Sequence, residues 1–196
     1  MRSHLTRILT IIAVGLAATV FFALASRKFN NPLPNFGALT EFELVDQRGE
    51  RFTSDDLRGK VSVAGVFFTN CQGICPRIVA QFQRLDSRFS AGLPLRLFTV
   101  STDPVNDTPE VLSAYAEEKN LDTGRWHLVT GETENVRSLI AEGFHFGTSE
   151  DPEVHSERFV LLDRDLHIRG YYSLAETTDM RDLHRAVSRL LRQEGR

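Results

Sequence analysis

Polar and apolar residues alternate through Glu41–Asp46 (EFELVD), and the turn Gln47-Arg48-Gly49-Glu50 leads to Phe52, which predicts a short opening hairpin. Thr53-Ser54-Asp55-Asp56-Leu57 reads as one capped helical turn ending before Gly59. Val61–Phe68 (VSVAGVFF) is a continuous apolar run, the pattern of a strand buried on both faces, and is expected at the centre of a sheet. After the loop Thr69–Cys75, Pro76 takes a first-turn position, and Ile78, Val79, Phe82, Leu85 and Phe89 follow at helical spacing. Leu95–Val100 predicts the next strand. Thr108-Pro109-Glu110 opens a helix with Val111, Leu112 and Tyr115 on its buried side. A short strand over Trp126–Val129 precedes a helix striped by Val136, Leu139, Ile140 and Phe144. Phe159–Leu162 and His167–Tyr172 then form a hairpin about Asp163-Arg164-Asp165, followed by a helix over about Thr177–Arg192. This order predicts an α/β domain, a mixed sheet with helices on both faces.

The N-terminus has a different pattern. Ile8–Ala25 holds eighteen residues without a charge, between Arg2 and Arg7 on one side and Arg27 and Lys28 on the other. As a helix it would be about 27 Å long, enough to cross a bilayer core. Ala23-Leu24-Ala25 before Ser26 also fits a cleavage site, but the run exceeds the usual signal-peptide core of about 7–15 residues. Residues 1–28 are therefore read as a single-pass anchor, 29–39 as a linker rich in Pro, Gly and Asn, and 40–196 as the folded domain. A short N-terminal segment of this kind exports the chain beyond it, so the domain is expected outside the cytoplasm, where thiols can be oxidised.

Of the 196 residues, 41% are hydrophobic and 25% charged, which excludes a disordered or fibrous chain. The net charge is −3, and residues 1–28 carry four basic and no acidic side chains, leaving −7 on the rest. An acidic domain argues against nucleic acid as a partner. Two cysteines are too few for a disulfide framework. No phosphate-cradling glycine loop, Ser/His/Asp order or HExxH motif supports a nucleotide or hydrolase reading.

The two cysteines stand together in Cys71-Gln72-Gly73-Ile74-Cys75-Pro76, at the junction of the expected central strand and the next helix. Open α/β sheets place functional loops there. Gly73 is expected to relax the backbone so that the sulphurs converge, and the helix N-terminus to favour thiolate at both, making both more reactive than a free thiol. A structural bridge closing so short a loop would remove little chain entropy. Redox or metal chemistry remains, and two thiolates are soft ligands suited to Cu(I) or Zn(II).

These residues resemble the Sco/SenC family, copper chaperones of cytochrome c oxidase assembly with a thioredoxin-like fold. The likeness rests on Phe67-Phe68-Thr69-Asn70-Cys71 through Cys75-Pro76, and on Ser101-Thr102-Asp103-Pro104 with Asp107–Leu112 and Tyr115-Ala116. Trp126, Leu128 and Thr130-Gly131 extend it, as does Val154-His155-Ser156 ahead of Phe159–Asp163. The resemblance implies a copper ion held by Cys71, Cys75 and His155. It also implies delivery to the binuclear copper centre in the copper-receiving subunit of a haem-copper oxidase. The expected location is the bacterial inner membrane, with the domain in the periplasm. The chain departs from the family pattern at Gln72, where Pro is usual, at Val154, where Asp often precedes the histidine, and at Leu166-His167, where the last hairpin commonly turns on Gly.

Among the other histidines, His145 lies with His155 in the segment Glu142–Glu157, read as a long loop free to reach the cysteines, and is the reserve ligand. His4, His127, His167 and His184 are read as structural or surface residues. Asp103 and Asp107 read as turn and cap residues around Pro104 and Pro109, and the resemblance sets them near the metal loop. The alternative function is a membrane-anchored thiol:disulfide oxidoreductase using Cys71 and Cys75 without His155. A thiol peroxidase is a third.

Overall fold

In a computed structural model the described residues are 32–121, 124–147 and 156–193, with Gly15, Leu16 and Thr19 of the N-terminal segment. Residues 1–33 and 34–196 form two separate compact units. Gly15, Leu16 and Thr19 are helical, while most of the expected anchor, together with His155, lies outside the described residues. Among the described residues no helix is long and apolar enough to cross a membrane.

The second unit is built on β1 (Glu43–Asp46), β2 (Arg51–Thr53), β3 (Val61–Phe67), β4 (Leu95–Ser101), β5 (Trp126–Thr130), β6 (Arg158–Leu162) and β7 (Ile168–Ser173). Its helices are α1 (Cys75–Arg88), α2 (Pro109–Lys119), α3 (Thr133–Ser138) and α4 (Thr177–Arg192). The seven strands order as β2-β1-β5-β4-β3-β6-β7. β3, β4 and β5 run parallel, from Val61↔Leu95 to Phe67↔Ser101 in the first pair, and the flanking hairpins pair antiparallel to them. β4, not β3, is the middle strand. β3 is nonetheless interior, with all seven residues buried, as its unbroken apolar run requires.

Pleating sends successive β3 side chains to opposite faces. On one face Gly65 lies under Phe82 of α1, where a Cβ would approach the ring to 3.0 Å. Phe82 packs against Trp126 and Phe159, with ring centroids at 5.2 and 5.1 Å. On the other face Ala64 and Val66 join Phe98, Leu139, Ile140 and Phe144 in a second core. The helix expected through Phe144 is α only to Ser138 and then winds a π turn over Leu139–Gly143, the N–H of Phe144 bonding Leu139 O at 2.8 Å. Through the wider turn Leu139, Ile140 and Phe144 all reach one core.

Other expectations are corrected. Val111 is 40% exposed, while Leu112 is buried as expected, Tyr115 is half-buried and Ala116 joins the buried side. The Glu142–Glu157 segment is not free along its length, since Phe144 and Phe146 are fully buried. At the end of the segment read as a linker, Phe36 and Leu39 donate backbone bonds to Ile168 and Leu166, tying residues 36–39 to the start of β7. At the β6–β7 turn Leu166 takes φ 64°, a conformation glycine adopts freely, with its side chain buried in the core.

His127 is structural, as expected. Its Nδ1 lies 3.0 Å from Asp46 Oδ2, its Nε2 lies 2.6 Å from Arg96 Nη1, and Phe52 stacks on the ring at 4.8 Å. Arg96 can only donate, so Nε2 accepts and the proton sits on Nδ1. Burial, with the charges of Arg96 and Arg48, lowers the His127 pKa below 6.5 despite the opposing Asp46. The unfolded chain therefore binds the proton more readily, and this stability is present above about pH 6.5 and lost as pH falls towards the depressed folded value. Melting curves between pH 7.5 and 5 should fall less steeply for His127→Gln than for the wild type, and parallel slopes would refute this role.

Candidate metal centre

The loop after β3 turns tightly, with the N–H of Cys71 donating to Phe68 O at 3.3 Å. Ile74 O then accepts from Arg77 and Ile78, which launches α1 at Cys75 with Pro76 in its first turn. Cys71 and Cys75 are thereby brought together at the carboxyl end of an interior strand, unbridged, Cys71 half-buried and Cys75 only 3% exposed. Gly73 does not take a positive φ, and a Cβ there would lie 4.0 Å from Cys71 Sγ, an ordinary contact. The convergence of the sulphurs comes from the turn and the helix start, not from glycine's conformational freedom.

The two thiols are not equivalent. Burial works against the Cys71 thiolate, but the Cys75 thiol and the N–H groups of Cys75, Gly73 and Ile74 donate to its sulphur and hold its pKa below the ordinary value. Burial, and then the bond to Cys71, push Cys75 up to about 12 against the opposing N–H of Phe68. The expectation that the helix N-terminus activates both cysteines therefore holds for Cys71 alone. Cys75 starts the helix but is too deeply buried to ionise readily.

Asp107 is not a helix cap. Thr108 caps α2, accepting from Val111 N–H at 3.4 Å, whereas Asp107 is 1% exposed beneath the cysteine loop. Its carboxylate accepts from Thr69 N at 3.1 Å, Thr69 Oγ1 at 2.5 Å and Ser101 Oγ at 2.5 Å. It thus ties the base of the loop to the end of β4. Asp103 is the turn residue expected, its carboxylate accepting from Asn106 Nδ2. Tyr115 packs on Phe67 with ring centroids at 5.7 Å, and its pKa is pushed up to about 12 by burial, then by the nearby Cys75.

The loop opens onto a depression of about 540 Å³ walled by Phe68, Asn70, Cys71, Gln72, Ile74 and, from the far end of the chain, Glu157. One sulphur donor in the open wall, Cys71, with a second, Cys75, buried next to it, fits a soft metal ion with room for further ligands. The reserve residue His145 is exposed at φ 57°, between the buried rings of Phe144 and Phe146. Sequence reading missed Glu157 altogether and read Asp107 as a cap, although the resemblance set it near the metal loop, where it lies. A charged residue next to Thr-Pro looks like a cap in any chain, and nothing local marks Glu157.

The sequence profile of the family described as SCO1/SenC matches residues 33–192. A putative copper-binding protein of Stutzerimonas stutzeri is 29% identical over 147 residues, 71% of each chain. The crystal structure of a SCO1/SenC family lipoprotein from Bacillus anthracis superposes with a TM-score of 0.69 at 31% identity, covering 82% of this chain and 98% of that one. BsSco, a member of the Sco family of cytochrome c oxidase assembly proteins in which a disulfide switch is identified, matches at a TM-score of 0.71 and 24% identity, over 84% and 100%. Since the profile runs from the start of the compact unit to the last residue of α4, the protein belongs to the SCO1/SenC family.

Proposed function

We propose that this protein is a copper chaperone of cytochrome c oxidase assembly, in which Cys71 and Cys75 bind the ion as thiolates and His155 completes the site through an imidazole nitrogen. The observation that carries this reading is the unbridged cysteine pair, Cys71 in the wall of an open pocket and Cys75 buried next to it, with hydrogen bonds that favour the Cys71 thiolate. The likeness to the putative copper-binding protein of Stutzerimonas stutzeri supports the ion, and the family resemblance supports the process. His155 rests on the family resemblance, and on the chain reaching the pocket wall at Glu157, two residues later.

Copper bound in this way would place its charge on two soft sulphurs at a solvent-open loop. The residues around it hold the loop in place and keep Cys75 out of water. An open site suits transfer by ligand exchange to the binuclear copper centre of a haem-copper oxidase better than storage. Residues 1–28 would anchor the chain in the bacterial inner membrane as a single span, followed by the 29–39 linker, with the 40–196 domain in the periplasm. Anaerobic Cu(I) titration of the full-length chain against a competing chelator tests the site. One ion should bind per chain, more weakly in His155→Ala and Cys71→Ser, whereas binding indifferent to His155→Ala removes that ligand.

The asymmetry of the pair favours a second reading, a thiol:disulfide oxidoreductase in which Cys71 attacks a partner disulfide and Cys75 resolves the mixed disulfide. Rapid reduction of a peptide disulfide, indifferent to His155→Ala, would favour it. A dithiol inert towards disulfides would end it.

A further inference from the structure

The cysteine pocket has one charged residue in its wall, and that residue comes from outside the cysteine loop. Glu157 lines the depression with Cys71, Asn70 and Gln72, and no Lys, Arg or His shares the wall among the described residues. Its position is fixed by the last residue of β7 and the residue after it. The backbone N–H of Leu174 donates to Glu157 O at 3.0 Å, and Ser173 Oγ lies 3.1 Å from Glu157 Oε1. Ala175 N–H donates to the same Ser173 Oγ at 3.1 Å, so the hydroxyl accepts there and directs its own proton at the carboxylate. A carboxylate offers about four lone-pair sites, and Ser173 occupies one. A carboxylate that shares a pocket wall with a cysteine sulphur, with no cationic side chain in that wall among the described residues, offers a bound cation an oxygen donor beside the sulphur donors.

The geometry points to Glu157 as an oxygen donor of the cysteine pocket, one that favours a divalent over a monovalent copper ion. This rests on the copper reading of the same site. Cu(I) is satisfied by soft sulphur and gains little from a carboxylate, whereas Cu(II) prefers nitrogen and oxygen in a tetragonal set. Ser173 is then a positioning residue that orients Glu157. Only the charge and the donor atom change in Glu157→Gln, because the amide keeps the side chain's shape and can still accept from Ser173.

Cu(I) and Cu(II) affinities of the full-length chain, each measured by ligand competition, test the assignment with wild type, Glu157→Gln, Ser173→Ala and Cys71→Ser. Glu157→Gln should lose about tenfold or more in Cu(II) affinity and shift the Cu(II) electron paramagnetic resonance signal, with Cu(I) affinity unchanged within about twofold. Ser173→Ala should lose less Cu(II) affinity, in the same direction. An unchanged Cu(II) affinity and spectrum in Glu157→Gln, or an equal loss for both ions, overturns the role of Glu157 while the thiolate site stands, as weakened Cu(I) binding in Cys71→Ser shows. A wild-type chain that binds neither ion overturns the copper reading itself, and Glu157 with it.

Discussion

Asp107→Ala should lower the melting temperature by roughly 6–12 °C, because removing the carboxylate strands Thr69 N–H, Thr69 Oγ1 and Ser101 Oγ and costs about 3 kcal/mol. All three donate to a group that is 1% exposed, where water does not replace the lost acceptor. Asp107→Asn should behave differently. The amide oxygen can take the place of Oδ2 and accept from Thr69 N–H and Ser101. The amide nitrogen then donates to Thr69 Oγ1, whose hydroxyl rotates to accept. Asn should therefore melt within about 1 kcal/mol of the wild type, while Ala destabilises and loosens the loop two residues before Cys71. Thermal melting of both variants checks this, and an alanine variant as stable as the asparagine one would show that the tie does not hold the loop.

Alkylation of the reduced protein with iodoacetamide at pH 7.5 should label Cys71 on the order of 10² times faster than Cys75. The Cys71 pKa lies below the ordinary 9.0 and that of Cys75 is about 12, so the thiolate populations differ by at least about a thousandfold. The greater intrinsic nucleophilicity of the more basic sulphur returns about one power of ten. Burial of Cys75 at 3% exposure adds a steric barrier. The Cys71 rate should rise with pH through a midpoint below the ordinary thiol value of 9.0, since its thiolate is half formed at the depressed pKa. Peptide mapping of the labelled sites reads both numbers, and equal labelling would refute the asymmetry. The same difference orders the steps of either proposed chemistry, with Cys71 engaging a metal or a disulfide first.

Much of the architecture follows from local pattern alone. The unbroken run from Val61 predicts an interior strand because both faces are covered, and the stripe Ile78, Val79, Phe82, Leu85 predicts α1 because one helical face meets the sheet. Thr108-Pro109 marks the start of α2, and the last helix runs over Thr177–Arg192 as its pattern predicts. The cysteine pair is equally legible, since the chain joining strand to helix is too short to place the two residues elsewhere. The π turn at Leu139–Gly143 escapes such reading because its stripe mimics an α-helix until packing adds a residue to the turn.

The order of elements, the family and the place of the two thiols are set by contacts between residues near one another in the chain or by motif, and so are legible in the sequence. The tertiary structure alone decided that β4 and not β3 is central, that Asp107 grips a loop 38 residues away, and that Glu157 shares a wall with Cys71. It also decided that Cys75 is a suppressed thiol rather than an activated one. The physical reason is common to these cases: burial and hydrogen bonding depend on which distant segments close over a residue, and a side chain's own neighbours in sequence do not specify that.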